Sequence, residues 1–326
     1  MSDLPKFVQI REEGPREAFQ FEKSPIPTSK KVELIDALSE TGLTQIQAVS
    51  FVDPRRVPGM ADADEVAKRL RRKPGVQYSA LWLNDKGFLR AVAANVFDLT
   101  GRIALTASEI FLLRNQQCSM EEDLAAQHEM VRLYKRYNVP IDQANILAAF
   151  GCNFEGDIPP EKVLVLIEQL LALACEHQFE IKNLKLSDTM AWATPLSIKR
   201  VLGAVRDRFP DLHITLHLHD TRGMGIANAY AGLKCGVDSF DTAVGGLGGC
   251  PFAAHAGAAG NLCSEDFVFM LHEMGIETGI DLEKLIEVAN LAEEIVGHPL
   301  PGSVMKGGSL KRLREQVQWK KPNFAC

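Results

Sequence analysis

The 326-residue sequence lacks the marks of several protein classes. It carries a formal charge of -6 and no clustered basic excess of the kind that nucleic acids or anionic membranes require, so neither is an expected partner. Its seven cysteines include no C-x-x-C pair, which argues against a disulfide framework and favours a reducing compartment. The first residues show no signal or transit pattern, and no run reaches membrane-spanning length. We therefore expect a cytoplasmic protein.

Two nucleotide-binding patterns are also missing. No Gly-x-Gly-x-x-Gly follows the first apolar run, which disfavours a dinucleotide-binding fold. The glycine-rich stretch 244–261 is not closed by a Lys-Ser or Lys-Thr pair, so it does not match a phosphate-binding loop. Its glycines, alanines and single proline instead indicate a flexible cover over an active site, with Cys250 inside it. A structural glycine turn with an inert thiol is the alternative.

Short apolar runs alternate with amphipathic segments along the chain, which is the pattern of a parallel sheet crossed over by helices. The runs that predict strands are residues 7–14, 45–51, 76–83, 102–108, 144–151, 184–188, 213–219 and 239–246. Eight such units favour an α/β fold of the (β/α)₈ TIM barrel type over an open doubly wound sheet. A further helical stretch follows the eighth unit. We expect a barrel domain with additional C-terminal helix over 1–300 and a C-terminal tail over 301–326.

The candidate site residues are the polar side chains at the ends of the predicted strands, because the working residues of such barrels lie there. Those that share this position are, in chain order, Arg16, Glu17, Gln47, Ser50, Asp188, His217 and His219. Scattered surface residues would not converge in this way, so the pattern predicts an active site on one rim of the barrel.

Two histidines separated by one residue are the sharpest of these features. Side chains two apart in a strand point to the same face, so His217 and His219 would project together at the barrel mouth. Taken alone, the pair is explained equally well as two hydrogen-bonded core histidines. Glu17 and the neutral oxygen donor Asn261 would complete a mixed nitrogen and oxygen set that suits Mg²⁺ or Mn²⁺, and imidazole also suits Zn²⁺ or Co²⁺.

Arg16, directly before Glu17, is the second feature. An isolated arginine at a barrel mouth is more commonly a surface residue bonded to a backbone carbonyl. Next to a metal, however, a fixed guanidinium would stabilise the negative oxygen of an enolate as it forms.

Taken together, these motifs resemble those of the 3-hydroxy-3-methylglutaryl-CoA lyase family, within the metal-dependent barrel lyases and synthases that include isopropylmalate and homocitrate synthases. The resemblance covers nearly the whole chain, in order, through EEGPREAFQFEK, SFVDPRRVPGM, FGCNFEGDIPPEKV, SDTMAWATP, HLHDTRG, VGGLGGCPF and GNLCSED. It implies divalent-metal-dependent retro-Claisen cleavage of a branched 3-hydroxyacyl-CoA, with hydroxymethylglutaryl-CoA and citramalyl-CoA as candidates. The products would be acetyl-CoA and a keto acid. The resemblance also allows a homodimer.

Residue roles follow from the same resemblance, position by position. The implied metal ligands are Glu17, His217, His219 and Asn261. Arg16 would stabilise the enolate, Asp188 would handle a proton, and Cys250 would act as the acid/base of the loop.

Three departures from the lyase pattern bear on the substrate. Glu17 stands where the lyases have aspartate, although homocitrate synthases use glutamate there. Gln47 replaces a catalytic-site glutamate, which removes a charge beside Arg16 and changes local proton affinities. The glycine-rich loop is two residues longer and adds His255, and bulky Trp192 stands where small residues are common. We expect Ser50, Trp192 and His255 to bind substrate in a reshaped pocket.

Two other functions stay open at this stage. A synthase that runs the condensation forward would explain the glutamate ligand, but about 30 residues after the last long helix are too few for the usual C-terminal regulatory region. A non-catalytic ligand-binding relative would explain Gln47.

Overall fold

Eight parallel β-strands form the centre of the computed structural model, which describes residues 4–22, 26–248 and 260–319. In chain order they are β1 (Gln9–Glu12), β2 (Gln45–Ser50), β3 (Gln77–Leu81), β4 (Gly101–Thr106), β5 (Ile141–Leu147), β6 (Asn183–Ser187), β7 (His213–His217) and β8 (Ser239–Thr242). Their order in the sheet is β3-β2-β1-β8-β7-β6-β5-β4, the cyclic order of a (β/α)₈ barrel. The predicted fold class and all eight predicted strands are confirmed.

The seam of the barrel lies between β3 and β4. Within the described ranges no strand ladder joins these two strands, which end the hydrogen-bonded order. Isolated hydrogen bonds connect the two edges instead. The amide of Asp98, before β4, donates to the Tyr78 carbonyl at 2.8 Å, and Arg102 Nη2 donates to the carbonyl of Trp82, just after β3, at 3.1 Å. Arg102 thus links the β3 edge and the β4 edge of the sheet.

Thirteen α-helices surround and extend the sheet in the described part of the chain. They are α1 (Gly14–Phe21), α2 (Thr28–Ser39), α3 (Ala63–Arg69), α4 (Asp85–Ala94), α5 (Glu109–Gln116), α6 (Met120–Arg136), α7 (Pro160–Glu176), α8 (Pro195–Arg208), α9 (Gly225–Lys234), α10 (Ser264–Glu273), α11 (Leu282–Val296), α12 (Val304–Gly307) and α13 (Leu310–Trp319). The last three follow the eighth barrel unit and confirm the expected additional helices, and two of them lie in the segment predicted as a tail. None of these helices has the length and apolar character needed to cross a membrane.

Local sequence signals set the helix boundaries. Ser119 caps α6 in a capping box with Glu122, and Thr194 caps α8 in one with Ser197. The predicted strand 144–151 is displaced, because β5 begins three residues earlier and stops before Ala148, whose φ is 52°. The Gly151–Cys152 and Gly156–Asp157 segments that follow pair as a short antiparallel hairpin.

The two faces of the strands differ sharply in polarity. Outward side chains are apolar, buried and packed against the helices, as are Ile10, Ile46, Tyr78, Ile103, Ile146, Leu184, Leu216 and Phe240. Inward side chains are largely polar and line a cavity of about 340 Å³ inside the barrel, as do Arg11, Gln47, Ser79, Arg102, Asn145, Lys185 and Thr215. Barrel interiors are more commonly filled by bulky branched apolar residues. The apolar core therefore lies between sheet and helices, whereas the barrel interior is charged and hydrogen-bonded.

Candidate active site

Three side chains from the carboxyl ends of β1 and β7 meet at the barrel mouth. Glu17 lies in the first turn of α1, which begins two residues after β1 ends. His217 is the last residue of β7, and His219 follows in a backbone bridge to Asn261. From Glu17, Oε1 lies 3.6 Å from His219 Nε2, and Oε2 lies 3.9 Å from His217 Nε2. The predicted convergence of the two histidines and the carboxylate is present.

Hydrogen bonds on the far side of each imidazole turn both Nε2 atoms toward Glu17. His219 Nδ1 lies 2.7 Å from the Asp188 carbonyl, and His217 Nδ1 lies 3.2 Å from Asp241 Oδ2. Such acceptors fix a proton on Nδ1 and leave a lone pair on Nε2, the arrangement that metal-binding histidines use.

Several buried polar atoms at this point have no hydrogen-bond partner among the described residues: Glu17 Oε2, His219 Nε2 and Asn261 Oδ1. Asn261 donates from Nδ2 to the Leu247 carbonyl at 3.0 Å, so its Oδ1 atom is left without a hydrogen bond. Unsatisfied buried polar atoms are costly, although Glu17 Oε2 has an ion pair with Arg16. All three are electron-pair donors of the types that divalent cations accept. One ligand atom from each of Glu17, His217 and His219 lies within 4.8 Å of the others. The donor set therefore fits a divalent metal ion.

Gly248 allows Glu17 and Asn261 to approach each other. Its φ is 87°, and a Cβ at this position would lie 2.5 Å from Asn261 Nδ2 and 2.8 Å from Glu17 Cγ. Because real Cβ atoms essentially never make contacts under 3.0 Å, only glycine fits between these groups without displacing them.

Arg16 is held in place by three neighbours. Its Nε donates to Gln47 Oε1 at 2.5 Å, and its Nη2 pairs with Glu13 Oε2 and lies 3.2 Å from Glu17 Oε2. Burial lowers the pKa of Arg16, but the negative charges of Glu17 and Glu13 outweigh burial and raise it. The guanidinium is thus a fixed positive charge beside the donor set, as its predicted role requires.

The positive charges also hold Glu17 in its ionised form. Burial raises the pKa of Glu17, but Arg16 and then His217 outweigh this effect and bring it to about 2. The pKa of His217 is lowered by burial and raised more strongly by Glu17, by its hydrogen bond to Asp241 and by Glu13, with a net increase. A proton on His217 would compete with a metal for the same ring, so metal binding here would release protons.

Asp188 sits behind His219 with one oxygen used and one free. Oδ1 accepts from the amides of Trp192 and Ala193 at 2.7 and 2.9 Å. Oδ2 is buried without a hydrogen-bond partner among the described residues. Burial raises the pKa of Asp188 to about 6, against the electrostatic effect of His219 and the two amide hydrogen bonds. The free oxygen is a chemically suitable proton acceptor.

Sequence reasoning missed three charged residues beneath the mouth. Lys185 Nζ lies 3.1 Å from Glu13 Oε1 and pairs with Asp241 Oδ2, and the Glu13 and Asp241 carboxylates lie beside His217. Burial raises the pKa of Glu13, but Lys185 and Arg16 outweigh it and hold the pKa well below its usual range. Charged residues inside otherwise apolar runs, as in LKLSD and SFDTAV, were the available signal.

A cavity of about 850 Å³ opens beside the donor set. Its lining includes Glu13, Arg16, Glu17, Arg102, Asn145, Lys185, His217 and His219. At this volume it is large enough to enclose a good part of a small organic ligand.

Not every predicted site residue lies in this cavity. Ser50 is fully buried at the end of β2, and its Oγ has no hydrogen-bond partner in the described ranges. Trp192 packs over Gly151, where a Cβ would lie 2.6 Å from the Trp192 Cβ, and its Nε1 donates to Asn153 Oδ1 at 2.7 Å. Neither residue lines the cavity, and the predicted site residues Gln47, Asp188 and Asn261 do not line it either. Contact of Ser50 and Trp192 with substrate stays a prediction. The predicted residues Cys250 and His255 lie outside the described residues.

Comparisons with known proteins agree with one another. The HMGL-like family model matches residues 7–292. The human cytoplasmic 3-hydroxy-3-methylglutaryl-CoA lyase is 41% identical over 290 residues, which are 89% of this chain and 75% of the human protein. The bovine mitochondrial hydroxymethylglutaryl-CoA lyase is 42% identical over 284 residues, 87% of this chain and 84% of the relative.

A solved structure extends the likeness to the fold. The HMG-CoA lyase from Acinetobacter baumannii, in complex with coenzyme A and 3-methylmalate, superposes with a TM-score of 0.84 at 37% identity. The match covers 95% of this chain and 97% of the bacterial one.

Proposed function

The chain belongs to the HMGL-like family, and from that premise we propose that it is a carbon–carbon lyase that cleaves a 3-hydroxy-3-methylacyl-CoA by a metal-dependent retro-Claisen reaction. The tertiary hydroxyl loses its proton, the C2–C3 bond breaks, and C3 becomes the ketone of a keto acid. The electron pair of the broken bond becomes the enolate of acetyl-CoA, which then takes up a proton. Hydroxymethylglutaryl-CoA and citramalyl-CoA are the candidate substrates.

The observation that carries this proposal is the set of buried donor atoms without a hydrogen bond on Glu17, His219 and Asn261, with His217 beside them. These four residues would hold a divalent ion, and their oxygen and nitrogen atoms suit Mg²⁺ or Mn²⁺, with Zn²⁺ or Co²⁺ as alternatives. When bound, the ion would supply Lewis acidity that lowers the pKa of the substrate hydroxyl.

The remaining roles belong to the side chains around this set. Asp188 has a free, buried Oδ2 with which to accept the hydroxyl proton. Arg16, fixed by Gln47 and Glu13, stabilises the oxygen of the enolate as its negative charge develops. Cys250 stays the proposed proton donor to the enolate carbon, on the family resemblance alone.

An acyl-CoA substrate is supported by the complex of the A. baumannii relative with coenzyme A. Cytoplasmic location is the matching proposal, supported by the human relative's name, although the bovine relative is mitochondrial. A homodimer stays a prediction from the family resemblance.

A screen of branched 3-hydroxyacyl-CoA thioesters with Mg²⁺ or Mn²⁺ tests the activity. We expect release of acetyl-CoA and a keto acid from at least one thioester, and loss of this turnover in His217→Gln. His213→Gln is the matched control, because His213 begins the same strand at its exposed end, 2.7 Å from Asp238. Turnover of no such thioester by the metal-supplemented protein would contradict the proposal.

Glu17 motivates one alternative outcome, since homocitrate synthases carry glutamate at this position. Acetyl-CoA and a set of 2-keto acids should therefore be tested in the same assay. Condensation that is faster than every cleavage reaction would favour a synthase.

A further inference from the structure

Most of the cations inside the barrel are ion-paired. The ion-paired carboxylates are Glu13, Glu17 and Asp241, and their cationic partners are Arg11, Arg16 and Lys185. Arg102 is a fourth cation on an inward position of β4. In the part of the chain that the structure describes, no carboxylate oxygen lies within 4.0 Å of its guanidinium. Arg102 is therefore left without an ion-pair partner among the described residues.

Leaving this charge unpaired inside the barrel is unfavourable. The side-chain hydrogen bond of Arg102 goes from Nη2 to the Trp82 carbonyl, so most of its five N–H donors find no acceptor among the described residues. Burial lowers the pKa of Arg102. Tyr134 and Glu13 raise it, Arg16 and Arg11 lower it, and the net change is a decrease. Charges removed from water are costly unless they are paired, so an unpaired one inside a cavity suggests a ligand that pairs with it.

Arg102 lines the cavity that Glu17, His217 and His219 also line. Asn145, on the neighbouring strand β5, lines the same cavity, and β4 and β5 are in parallel register with Ala104 opposite Asn145. Asn145 Oδ1 accepts from Ser187 Oγ at 2.9 Å. Because this bond uses the amide oxygen, the amide nitrogen Nδ2 is left as the donor of this side chain. That nitrogen donates to no described residue. Arg102 and Asn145 therefore line the same cavity, and both have N–H groups without an acceptor among the described residues.

We propose that Arg102 and Asn145 form a carboxylate-binding subsite, which selects acyl-CoA substrates whose acyl group carries a free carboxylate. This inference rests on the proposed cleavage function and names the part of the substrate that these residues recognise. A guanidinium presents paired N–H groups that match the two oxygens of a carboxylate, and an amide N–H adds a third donor. A neutral acyl group leaves these donors unpaired, so it is disfavoured.

Paired substrates test the subsite by turnover. The thioester hydroxymethylglutaryl-CoA is compared with its methyl ester at the free carboxylate, in wild type, Arg102→Gln and Arg102→Lys. We expect Arg102→Gln to lower kcat/KM for the carboxylate substrate by about 10- to 100-fold, mainly through KM, because a charge-assisted contact is lost. The ester should change by less than about threefold, and Arg102→Lys should restore part of the loss.

Arg200→Gln is the matched control, since Arg200 is exposed on α8 and should leave both substrates unaffected. Thermal unfolding of each variant checks that the fold is intact. An equal loss for both substrates, or no loss for the carboxylate substrate, would overturn the subsite.

A binding experiment separates this inference from the proposed cleavage. If wild type turns over neither thioester, the cleavage proposal fails, and calorimetry with the monomethyl and dimethyl esters of 3-hydroxy-3-methylglutarate still tests the subsite. We expect wild type to bind the monoester, which has one carboxylate, at least about tenfold more tightly than the diester, and Arg102→Gln to remove this preference. An unchanged preference in Arg102→Gln would overturn the inference whatever the enzyme does.

Discussion

Substitution of Gly248 by alanine perturbs the proposed metal site without removing any ligand. The new Cβ would lie 2.5 Å from Asn261 Nδ2 and 2.8 Å from Glu17 Cγ, whereas ordinary contacts begin near 3.4 Å. Glu17 and Asn261 must therefore separate by about half an ångström or more. Alanine at a φ of 87° also costs about 1–2 kcal/mol in folding free energy.

Metal binding is expected to weaken as well. Disturbance of the groups that orient metal ligands weakens affinity by about 10- to 100-fold, and here two of the four proposed ligands move. We therefore expect Gly248→Ala to bind Mn²⁺ at least about tenfold more weakly than wild type. The apparent stability of the metal-free protein should fall by at least about 1–2 kcal/mol, because displacement of the two side chains adds to the backbone strain.

Gly275→Ala separates backbone strain from displacement of the ligands. Gly275 has a φ of 72° and no atom within 4 Å of the position that a Cβ would occupy. Gly275→Ala should lose only the about 1–2 kcal/mol that the backbone strain costs and should keep its affinity for Mn²⁺. Calorimetric titration with Mn²⁺ and urea unfolding of both variants give the two quantities. Unchanged Mn²⁺ affinity in Gly248→Ala, or equal weakening in both variants, would refute the assignment of Glu17 and Asn261 to one metal site.

Two predictions concern stability. Burial raises the pKa of both Glu12 and Glu265 from 4.5 to about 7. The folded protein then holds protons more tightly than the unfolded chain between these values, so unfolding free energy should fall as pH rises through this window, by up to about 3 kcal/mol per group. In urea unfolding at pH 5, 7 and 8.5, the unfolding free energy of Glu12→Gln should fall less with pH than that of wild type. The same pH dependence in both proteins would contradict this prediction. Separately, Tyr134→Phe leaves the buried Trp82 Nε1, now 2.7 Å from the hydroxyl, without its acceptor. Tyr134→Phe should lower the unfolding free energy measured in urea by about 1–3 kcal/mol. A decrease below about 0.5 kcal/mol would contradict this prediction.

The barrel and most of the metal donor set can be predicted from the sequence because both depend on local periodicity. Residues two apart on one strand share a face, so the spacing of His217 and His219 is enough to place their side chains together. Glu17 follows from its position just after the first strand. Asn261 reaches the set through a backbone bridge to His219, a contact that no spacing along the chain predicts. Family resemblance supplies it instead.

The charged interior was not predicted, since it depends on how strands pair. Lys185 and Asp241 lie 56 positions apart and meet only because β6, β7 and β8 are neighbours in register. In a single strand each reads as an isolated polar residue. The position of Trp192 was equally out of reach, because it depends on the space that Gly151 leaves for the indole. The size of Trp192 alone suggested a contact with substrate, but the position of its indole depends on how it packs against its neighbours.

Metal dependence of cleavage tests the central claim most directly. Protein stripped of divalent ions should release no acetyl-CoA from hydroxymethylglutaryl-CoA or citramalyl-CoA, and added Mn²⁺ should restore release in a saturable manner at one ion per chain. His219→Gln should stay inactive at the Mn²⁺ concentration that saturates wild type. Cleavage by the stripped protein at the full rate, or restoration of His219→Gln to the wild-type level, would contradict the account.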